Sequence, residues 1–373
     1  MPFSLIVVFL PLPLFGQTQP ASSALHPHQK ALSWADLPQQ TLVFSKPLAL
    51  EGLPQSPAIT APIRCSPNGT PFLEMPLPPA FTTRALLSIA KSGKVTTYAN
   101  GNNVFGLDDV NQLNYFPGNK HVIYLVEARE HDLTSALLGS QSTKSPKNFY
   151  LLTYASDGTL ESTQKIDTLN DPQTIAAFPS GALATIGLDP IQHDIQFNVM
   201  DSTGQNSHPV DIDANRLYEA DHLRQFYGDV PGPDPSGSGM SKAVSAMQLI
   251  SYGDNLLLVQ TGTNYAVSEI GESGLIIRSV RLKLPPGAVI DGFIQSSEKL
   301  WLAKISDTSR DPSARWLIAF DPDTGDAVRR ISTTGTALDS VACDADGTFL
   351  AFKKKFKDKD DAGTWNLLTA SSQ

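Results

Sequence analysis

Cys343-Asp-Ala-Asp-Gly-Thr-Phe-Leu-Ala-Phe352 places a tight turn at Gly347 directly before a strand of apolar residues. The same phrase, an apolar strand, a turn and a second apolar strand, occurs five more times, at 65–73, 115–124, 178–186, 251–259 and 295–302. Copies spaced at roughly 45 to 70 residues are typical of repeat architectures in which each copy builds one structural unit. The chain is therefore predicted to consist of repeated hairpins.

A second hairpin follows each of the first five phrases, and its turn also ends in glycine, at Gly93, Gly158, Gly204, Gly274 and Gly325. Glycine suits such turns because the tight connection requires positive φ, and the neighbouring Asp, Ser and Asn side chains bond their own backbone. Two consecutive hairpins make a four-stranded sheet, the blade of a β-propeller. The sequence thus predicts an all-β chain with six four-stranded blades, the last of which is incomplete.

The last blade lacks one strand, because only Thr348–Phe352 and Thr364–Thr369 follow the turn at Gly347. A propeller has no open edge only if another segment fills that place. The apolar segment Thr41–Leu50, which precedes the first blade, is predicted to close the ring as an N-terminal strand, with Pro47 tolerable on an outer edge. Two alternatives stay open: residues 25–60 are a disordered leader, or the longer insertions build a seventh blade.

Two phrases, Cys343-Asp-Ala-Asp-Gly-Thr-Phe349 and Ile318-Ala-Phe-Asp-Pro-Asp-Thr-Gly-Asp-Ala-Val328, resemble the first and second hairpins of the six-bladed β-propeller superfamily, which includes NHL-type and related bacterial repeats. The resemblance covers roughly residues 61 to 370 and implies the fold alone. No catalytic set of a propeller enzyme family matches this chain residue by residue. The second phrase is also similar to a quinoprotein blade, but the tryptophan-docking phrase of that class is missing and the chain has only 4 Trp.

Composition and charge narrow the function classes. Charged residues make up 17% of the chain, with 26 Gly and 28 Pro, as expected for short strands and tight turns. The formal net charge of −9 argues against a nucleic-acid or anionic-lipid partner held by a general positive field. Common hydrolase, P-loop, zinc-protease and Cys-x-x-Cys motifs are absent from the sequence.

The N-terminus predicts export. Ser4–Phe15 is an apolar run of signal-peptide length, and small residues suited to cleavage follow it up to Ala24, although no Lys or Arg precedes the run. The run is too short to span a bilayer, and no later run approaches that length, so no transmembrane anchor is expected. We predict a signal peptide at 1–24, a Pro-rich segment at 25–60 and the propeller at 61–373, in a periplasmic, cell-envelope or extracellular protein.

The chain has two cysteines, Cys65 and Cys343, each four residues before the turn glycine of an inner hairpin. They lie in the first and the last blade, which become neighbours when the ring closes. A disulfide between them would suit an exported protein. The alternative is two buried free thiols, because equivalent positions on adjacent inner strands can exceed the roughly 7 Å Cα separation that a disulfide tolerates.

The long insertions are predicted to share one face of the propeller. In a propeller the second-to-third-strand loops and the links between blades emerge together, and here they are long, whereas the hairpin turns on the opposite face are short. Loops carry function more often than the strands that support them. The longest insertion, 213–243, begins with a predicted short helix around Tyr218 and continues into a Gly/Pro-rich arm, and it is either a cap over the channel or a plain surface insertion.

Candidate functional residues fall into three groups. Two loop clusters combine carboxylates with imidazole, as acid–base pairs and divalent-metal sites do: Arg129, Glu130, His131 and Asp132, and then His193 and Asp194. Asp291 and Asp339 are predicted at the starts of inner strands, where polar residues line the channel mouth. The comparable places in the other blades hold Gln112, Asn114, Gln173 and Gln248. The favoured interpretation of each group is the one without a ligand, a solvated loop for the two clusters and a water-filled channel for the strand residues.

Three functions fit these observations. The first is an exported, monomeric, non-enzymatic propeller that uses its loop-bearing face to bind a protein, a peptide or a carbohydrate, with no cofactor. The second is a propeller hydrolase or lactonase acting on a small polar or sugar-derived substrate, with a divalent metal at the channel mouth. The third is a structural part of a cell-envelope assembly. Convergence of the carboxylates and histidines within coordinating distance is the observation that separates the enzyme from the other two.

Overall fold

The structure is a computed structural model of the chain. It describes residues 34–45, 47–50, 53, 63–77, 83–98, 104, 106–118, 120–131, 146–167, 170–189, 195–210, 247–260, 266–285, 287–294, 296, 299–307, 315–345, 347–355 and 363–371. These residues belong to one compact unit, Ser33–Gln373. The predicted signal peptide at 1–24 lies outside the described residues. Among the residues that the structure describes, no helix has the length and apolarity to cross a bilayer.

In the part of the chain that the structure describes, twenty-five strands form six sheets. Two N-terminal strands come first, β1 (Gln39–Val43) and β2 (Leu48–Ala49). The first blade contains β3 (Arg64–Cys65), β4 (Pro71–Leu77), β5 (Thr83–Ile89) and β6 (Val95–Tyr98). The second contains β7 (Leu107–Pro117), β8 (His121–Glu130), β9 (Asn148–Ala155) and β10 (Leu160–Lys165). The third contains β11 (Asp171–Ala177), β12 (Leu183–Leu188), β13 (Ile195–Met200) and β14 (His208–Val210).

The other three blades follow the same order. The fourth contains β15 (Met247–Tyr252), β16 (Asn255–Gln260), β17 (Ala266–Ile270) and β18 (Ile276–Arg281). The fifth contains β19 (Ala288–Ile294), β20 (Trp301–Asp307), β21 (Arg315–Phe320) and β22 (Ala327–Thr334). The sixth contains β23 (Val341–Ala345), β24 (Thr348–Lys355) and β25 (Thr364–Ser371).

Within each blade the consecutive strands pair antiparallel. The first strands contact one another from blade to blade, β3 with β7, β7 with β11, β11 with β15, and β19 with β23, which returns to β3. The step from β15 to β19 is bridged where the backbone N of Phe293 donates to Oε1 of Gln248 at 3.5 Å. First strands therefore line the centre of a closed ring. The protein is a six-bladed β-propeller.

An N-terminal strand closes the ring, as predicted, but only part of the expected segment does so. β2 pairs antiparallel with β25, with Leu48 opposite Leu367, and completes the sixth blade. β1 instead pairs parallel with β22, and so adds a fifth strand to the outer edge of the fifth blade. The N-terminal segment thus bridges two neighbouring blades, and Leu42 of β1 is fully buried between them.

Apolar side chains fill the interfaces between blades, because both faces of each sheet are covered by a neighbouring sheet. One core cluster spans the fifth, sixth and first blades and contains Leu42, Met75 and Phe349. Another, between the first and second blades, is rich in tyrosine. The turns behave as predicted: Gly325 has φ +70°, and a Cβ at that position would lie 2.4 Å from the backbone oxygen of Arg281 in the fourth blade.

The inner strands share a local irregularity at one level. Register shifts occur between Gln112 and Asn114, Pro172 and Thr174, Ile290 and Gly292, and Val341 and Cys343. Each shift places one extra residue on the inner strand, namely Leu113, Gln173, Asp291 and Ala342. A β-bulge turns the side chain away from the regular alternation, so this level of the ring presents side chains that a strict two-residue pattern would not place there.

Candidate functional site: the central cavity

A cavity of about 800 Å³ lies at the centre of the ring, between residues of the first, second, fourth, fifth and sixth blades. Its charged lining residues are Arg64, Lys304, Lys353, Lys354, Asp291 and Asp339. Its aromatic lining residues are Phe116, Phe293, Phe352 and Trp365. Concave sites of this size with apolar walls and a few polar groups are the usual form of small-molecule sites.

Arg64 is the cation of the first blade, on inner strand β3. Its Nη1 donates to Oδ1 of Asn114 at 2.6 Å and also to the backbone oxygen of Tyr115. Its guanidinium carbon lies 4.9 Å from the centroid of the Tyr115 ring, a cation–π distance. These contacts hold the guanidinium against the wall of the cavity, while Nε and Nη2 make no hydrogen bond to a residue that the structure describes.

A buried group of ionisable residues lies behind Arg64, between the first and second blades. Burial lowers the pKa of Arg64, and the nearby Tyr115 and Glu74 oppose that effect by favouring the charged guanidinium. Burial also raises the pKa of Tyr115, and that of Tyr124 is raised well above its usual value for the same reason. The tyrosines are therefore neutral at physiological pH.

Lys304 is the cation of the fifth blade, in the middle of β20, and it is half-buried. Its Nζ donates to the backbone oxygen of Asp339 at 3.0 Å. The carboxylate of Asp339 forms an ion pair with Arg315, and Oδ1 of Asp291 accepts from the hydroxyl of Ser306 at 3.0 Å. Burial lowers the pKa of Lys304, the carboxylates of Asp339 and Asp291 oppose this shift, and the Arg315 cation adds to it.

Only some of the predicted channel residues line the cavity. Asp291, Asp339 and Gln248 line the cavity. Asn114 acts through Arg64, and its Nδ2 donates to the backbone oxygen of Gln173 at 3.1 Å, which ties the second blade to the third. Gln112 does not line the cavity, and its side chain hydrogen bonds to Tyr124 instead.

The predicted cluster at the end of β8 lies on the exposed rim of the second blade. Nε of Arg129 lies 3.2 Å from Oδ2 of Asp109, and Nδ1 of His131 lies 2.7 Å from Oδ2 of Asp108. Glu130 accepts from the hydroxyl of Tyr150 at 3.1 Å and pairs with Lys165. These residues bind partners within their own blade and do not line the cavity. The structure therefore does not bring Glu130 and His131 together with Asp291 and Asp339.

The remaining predicted site residues, Asp132, His193, Asp194 and Tyr218, lie outside the described residues. Within the described ranges, no group of three or more His, Cys, Asp or Glu side chains is arranged to hold a metal ion. In the same part of the chain, the two carboxylates of the cavity have cationic or hydroxyl neighbours rather than further carboxylates. The geometry of the described cavity thus fits an anion better than a divalent cation.

A disulfide joins Cys65 of the first blade to Cys343 of the sixth, with the Cα atoms 6.2 Å apart. Of the two alternatives that the sequence leaves open, the structure therefore has the bond rather than two free thiols. Cys65 also lines the cavity beside Arg64. The covalent link crosses the seam at which the ring closes, and it holds the inner strands β3 and β23 at one level.

Sequence reasoning missed the two most informative residues of the cavity, Arg64 and Lys304. A signal for Lys304 is present: it is a charged residue inside the otherwise apolar run Trp301–Ile305. Lysine is almost never fully buried without a partner, so a lysine at the middle of a core strand indicates a polar cavity. Arg64 carries no comparable signal, because it lies close to a turn, where a charged residue is ordinary.

No protein-family model and no curated protein matches the chain. Solved structures resemble it in fold at low sequence identity. The calcium-binding protein regucalcin from Agrobacterium tumefaciens is 12% identical, with a TM-score of 0.42 over 90% of this chain and 97% of that one. A protein of unknown function from Dyadobacter fermentans is 9% identical, with a TM-score of 0.44 over 89% and 99%. A DUF4221 member from Bacteroides vulgatus is 8% identical, with a TM-score of 0.42 over 88% and 97%.

Proposed function

We propose that this propeller is a binding protein that takes a small organic acid with an apolar body into its central cavity. The observation that carries the proposal is the charge of the lining: four cationic side chains, Arg64, Lys304, Lys353 and Lys354, face two carboxylates, in a chain whose net charge is −9. A cavity of opposite sign to the rest of the protein concentrates anions locally.

Arg64 is the residue best placed to recognise a carboxylate. A guanidinium presents a planar fork that matches the two oxygens of a carboxylate, and such pairs are stronger than neutral hydrogen bonds. Asn114 and Tyr115 occupy only Nη1 and fix the orientation of the plane. An acid that approaches from the cavity therefore meets a pre-oriented donor pair, and little side-chain freedom is lost on binding.

The apolar part of the ligand is assigned to the aromatic wall. Phe116 and Phe352 are buried residues of the lining, and Phe293 and Trp365 are partly exposed residues of the same lining. Aromatic walls with few convergent polar groups are typical of sites for small molecules rather than for ions alone. The volume of about 800 Å³ accommodates a ligand of several carbon atoms. An acidic peptide terminus shares the carboxylate chemistry and is one outcome of the test.

Export is part of the proposal. A disulfide persists in oxidising compartments and is rare in reducing ones, and the Cys65–Cys343 bond together with the apolar run Ser4–Phe15 supports a periplasmic, cell-envelope or extracellular location. Secretion of the full chain with loss of its first residues, followed by N-terminal sequencing, tests this point independently of the ligand.

The binding test is a titration calorimetry screen of full-length protein with aliphatic and aromatic monocarboxylates, their neutral amides, and short peptides with free or amidated C-termini. We expect carboxylates to bind and amides not to bind. Arg64→Met is expected to weaken binding about ten-fold or more, as loss of a charge-assisted bidentate pair predicts, and Arg64→Lys to recover only part of it because the fork is lost.

The matched control is Arg281→Met, which removes an exposed arginine from β18, outside the cavity lining. Melting temperatures verify that each variant is folded. Preference for free-terminus peptides over small acids would replace the small-molecule ligand by a peptide. Equal binding of acids and amides, or full affinity in Arg64→Met, would refute the proposal.

A further inference from the structure

The surroundings of Lys304 indicate a role beyond its contribution to the positive charge of the cavity. Its amine lines the cavity and donates to a backbone oxygen, that of Asp339. Within the described part of the chain it forms no ion pair, because Arg315 takes the Asp339 carboxylate and the Ser306 hydroxyl occupies Oδ1 of Asp291. A lysine that faces a cavity without a direct carboxylate partner is available to a ligand.

The nucleophilicity of such a lysine depends on the fraction of its side chain that is present as the neutral amine. Burial penalises the ammonium form and lowers the pKa of Lys304, and the positive charge of Arg315 acts in the same direction. Asp339 and Asp291 oppose the shift without reversing it. Desolvation and a neighbouring cation are the two established means by which proteins turn a lysine into a nucleophile.

We propose that Lys304 is a nucleophilic amine that forms a reversible imine with the carbonyl group of an acid bound in the cavity, so that the ligand class is the small 2-oxo acids or aldehyde acids. This inference rests on the proposed acid-binding function and deepens it. The carboxylate of the ligand pairs with a lining cation, and its carbonyl carbon meets Nζ of Lys304. The preference for a carbonyl compound comes from the amine of Lys304, because the carboxylates of Asp291 and Asp339 alone would not select one.

The step balances without an oxidant or a reductant. The lone pair of Nζ attacks the carbonyl carbon, a C–N bond forms, and the carbonyl oxygen takes up a proton as the nitrogen loses one. The nitrogen lone pair then forms the C=N bond as the C–O bond of this carbinolamine breaks, and the oxygen leaves as water with the second proton that the nitrogen gives up. Amine and carbonyl thus become imine and water. Asp291, whose carboxylate lines the same cavity, is the group placed to carry these protons.

Reductive trapping tests the proposal on the full chain. The protein is incubated with pyruvate or glyoxylate and sodium cyanoborohydride near neutral pH, and its peptides are mapped by mass spectrometry. We expect Lys304 to be alkylated about ten-fold faster than exposed lysines. Lys165 and Lys283, whose side chains are 52% and 58% exposed, are controls within the same molecule. Lys304→Arg keeps the charge and removes the label from this peptide.

Paired probes separate this inference from the acid-binding function. If lactate binds as well as pyruvate and Lys304 is not labelled preferentially, the imine is refuted and acid binding stands. If neutral propanal labels Lys304 preferentially while no carboxylate binds, the nucleophilic lysine stands and acid binding is refuted. Equal labelling of Lys304, Lys165 and Lys283 by every probe overturns the inference, and this readout needs no variant to fold.

Discussion

The disulfide between Cys65 and Cys343 is expected to be a main source of the stability of the ring. It closes a loop over a sequence separation of 278 residues. The chain-entropy relation for a loop of that length gives a stabilisation of about 5.6 kcal/mol at 25 °C, slightly above the usual range of about 0 to 5 kcal/mol. Because the unit contains roughly 340 residues, its entropy of unfolding converts this energy into a melting-temperature difference of about 8 °C.

The assay is calorimetric melting of three proteins: the oxidised wild type, the reduced wild type and the variant Cys65→Ala/Cys343→Ala. Reduction removes only the link, whereas the variant also removes two buried sulfur atoms, since both cysteines lie in the core. We therefore expect the reduced protein to melt about 8 °C below the oxidised one, and the variant to melt at the same temperature or slightly lower.

A difference of less than about 2 °C between the oxidised and reduced proteins would refute the reasoning. It would mean that the unfolded chain is constrained in some other way, or that the strain in the native bond offsets the entropic gain. Pairing of β2 with β25 and of β1 with β22 would then be the main closure of the ring.

Three further predictions concern the N-terminal strand, acid stability and tyrosine ionisation. Leu42→Ala is expected to lower the free energy of unfolding, measured in urea, by about 3 kcal/mol because Leu42 is fully buried. The control Val43→Ala, at a side chain 66% exposed, is expected to change it by less than about 0.5 kcal/mol. Equal effects of the two substitutions would show that β1 does not pack in the ring. Hydrogen bonds from the Thr203 side chain and the Gln205 backbone lower the pKa of Asp201 to about 2, so its stabilisation is present above about pH 4 and lost as the pH falls towards 2. The melting temperature of Asp201→Asn should accordingly be lower than that of the wild type at pH 6 and equal to it near pH 2, and a difference that persists at low pH would contradict this. Burial, with a further contribution from Glu130, raises the pKa of Tyr150 to about 12, and burial also raises the pKa values of Tyr98, Tyr115, Tyr124, Tyr154 and Tyr252. These shifts favour the folded state below about pH 10, and that contribution is lost as the pH rises through the folded pKa values. Ultraviolet titration near pH 11 should therefore detect at least three fewer tyrosinates in the native protein than in urea, and detection of all nine in the native state would refute the burial.

Much of the ring could be predicted because its signals are local. Each hairpin needs a turn residue that tolerates positive φ, so the glycines at Gly93, Gly158, Gly274 and Gly347 mark the strand order along the chain. The need for a closing strand also follows from the count of strands after Gly347. The division of the N-terminal segment between β1 and β2 does not follow, since the choice depends on which sheet edge each strand meets.

Local sequence signals predict only part of the lining of the cavity. The sequence predicted Asp291 and Asp339 at the starts of inner strands. In the structure Asp291 is the middle residue of β19 and Asp339 lies in a short 3-10 turn before β23, yet both line the cavity. Arg129, Glu130 and His131 combine suitable chemistry in sequence, yet their partners lie within the second blade, because neighbours on one strand end need not face the channel. The β-bulge at Asp291 arises from the pairing of β19 with β20, and no periodic pattern in the sequence predicts it.

By itself the sequence determined the class of fold, predicted six blades while leaving a seventh open, and identified the two cysteines that the seam could join, because turn chemistry and strand periodicity act over a few residues. Only the tertiary structure decided which side chains share the cavity. Arg64, Lys304 and Asp339 come from three different blades, and the ring brings them together through contacts among inner strands that are far apart along the chain. The partial burial of Arg64 and Lys304, and with it the lowered pKa of Lys304, exists only once those strands have closed.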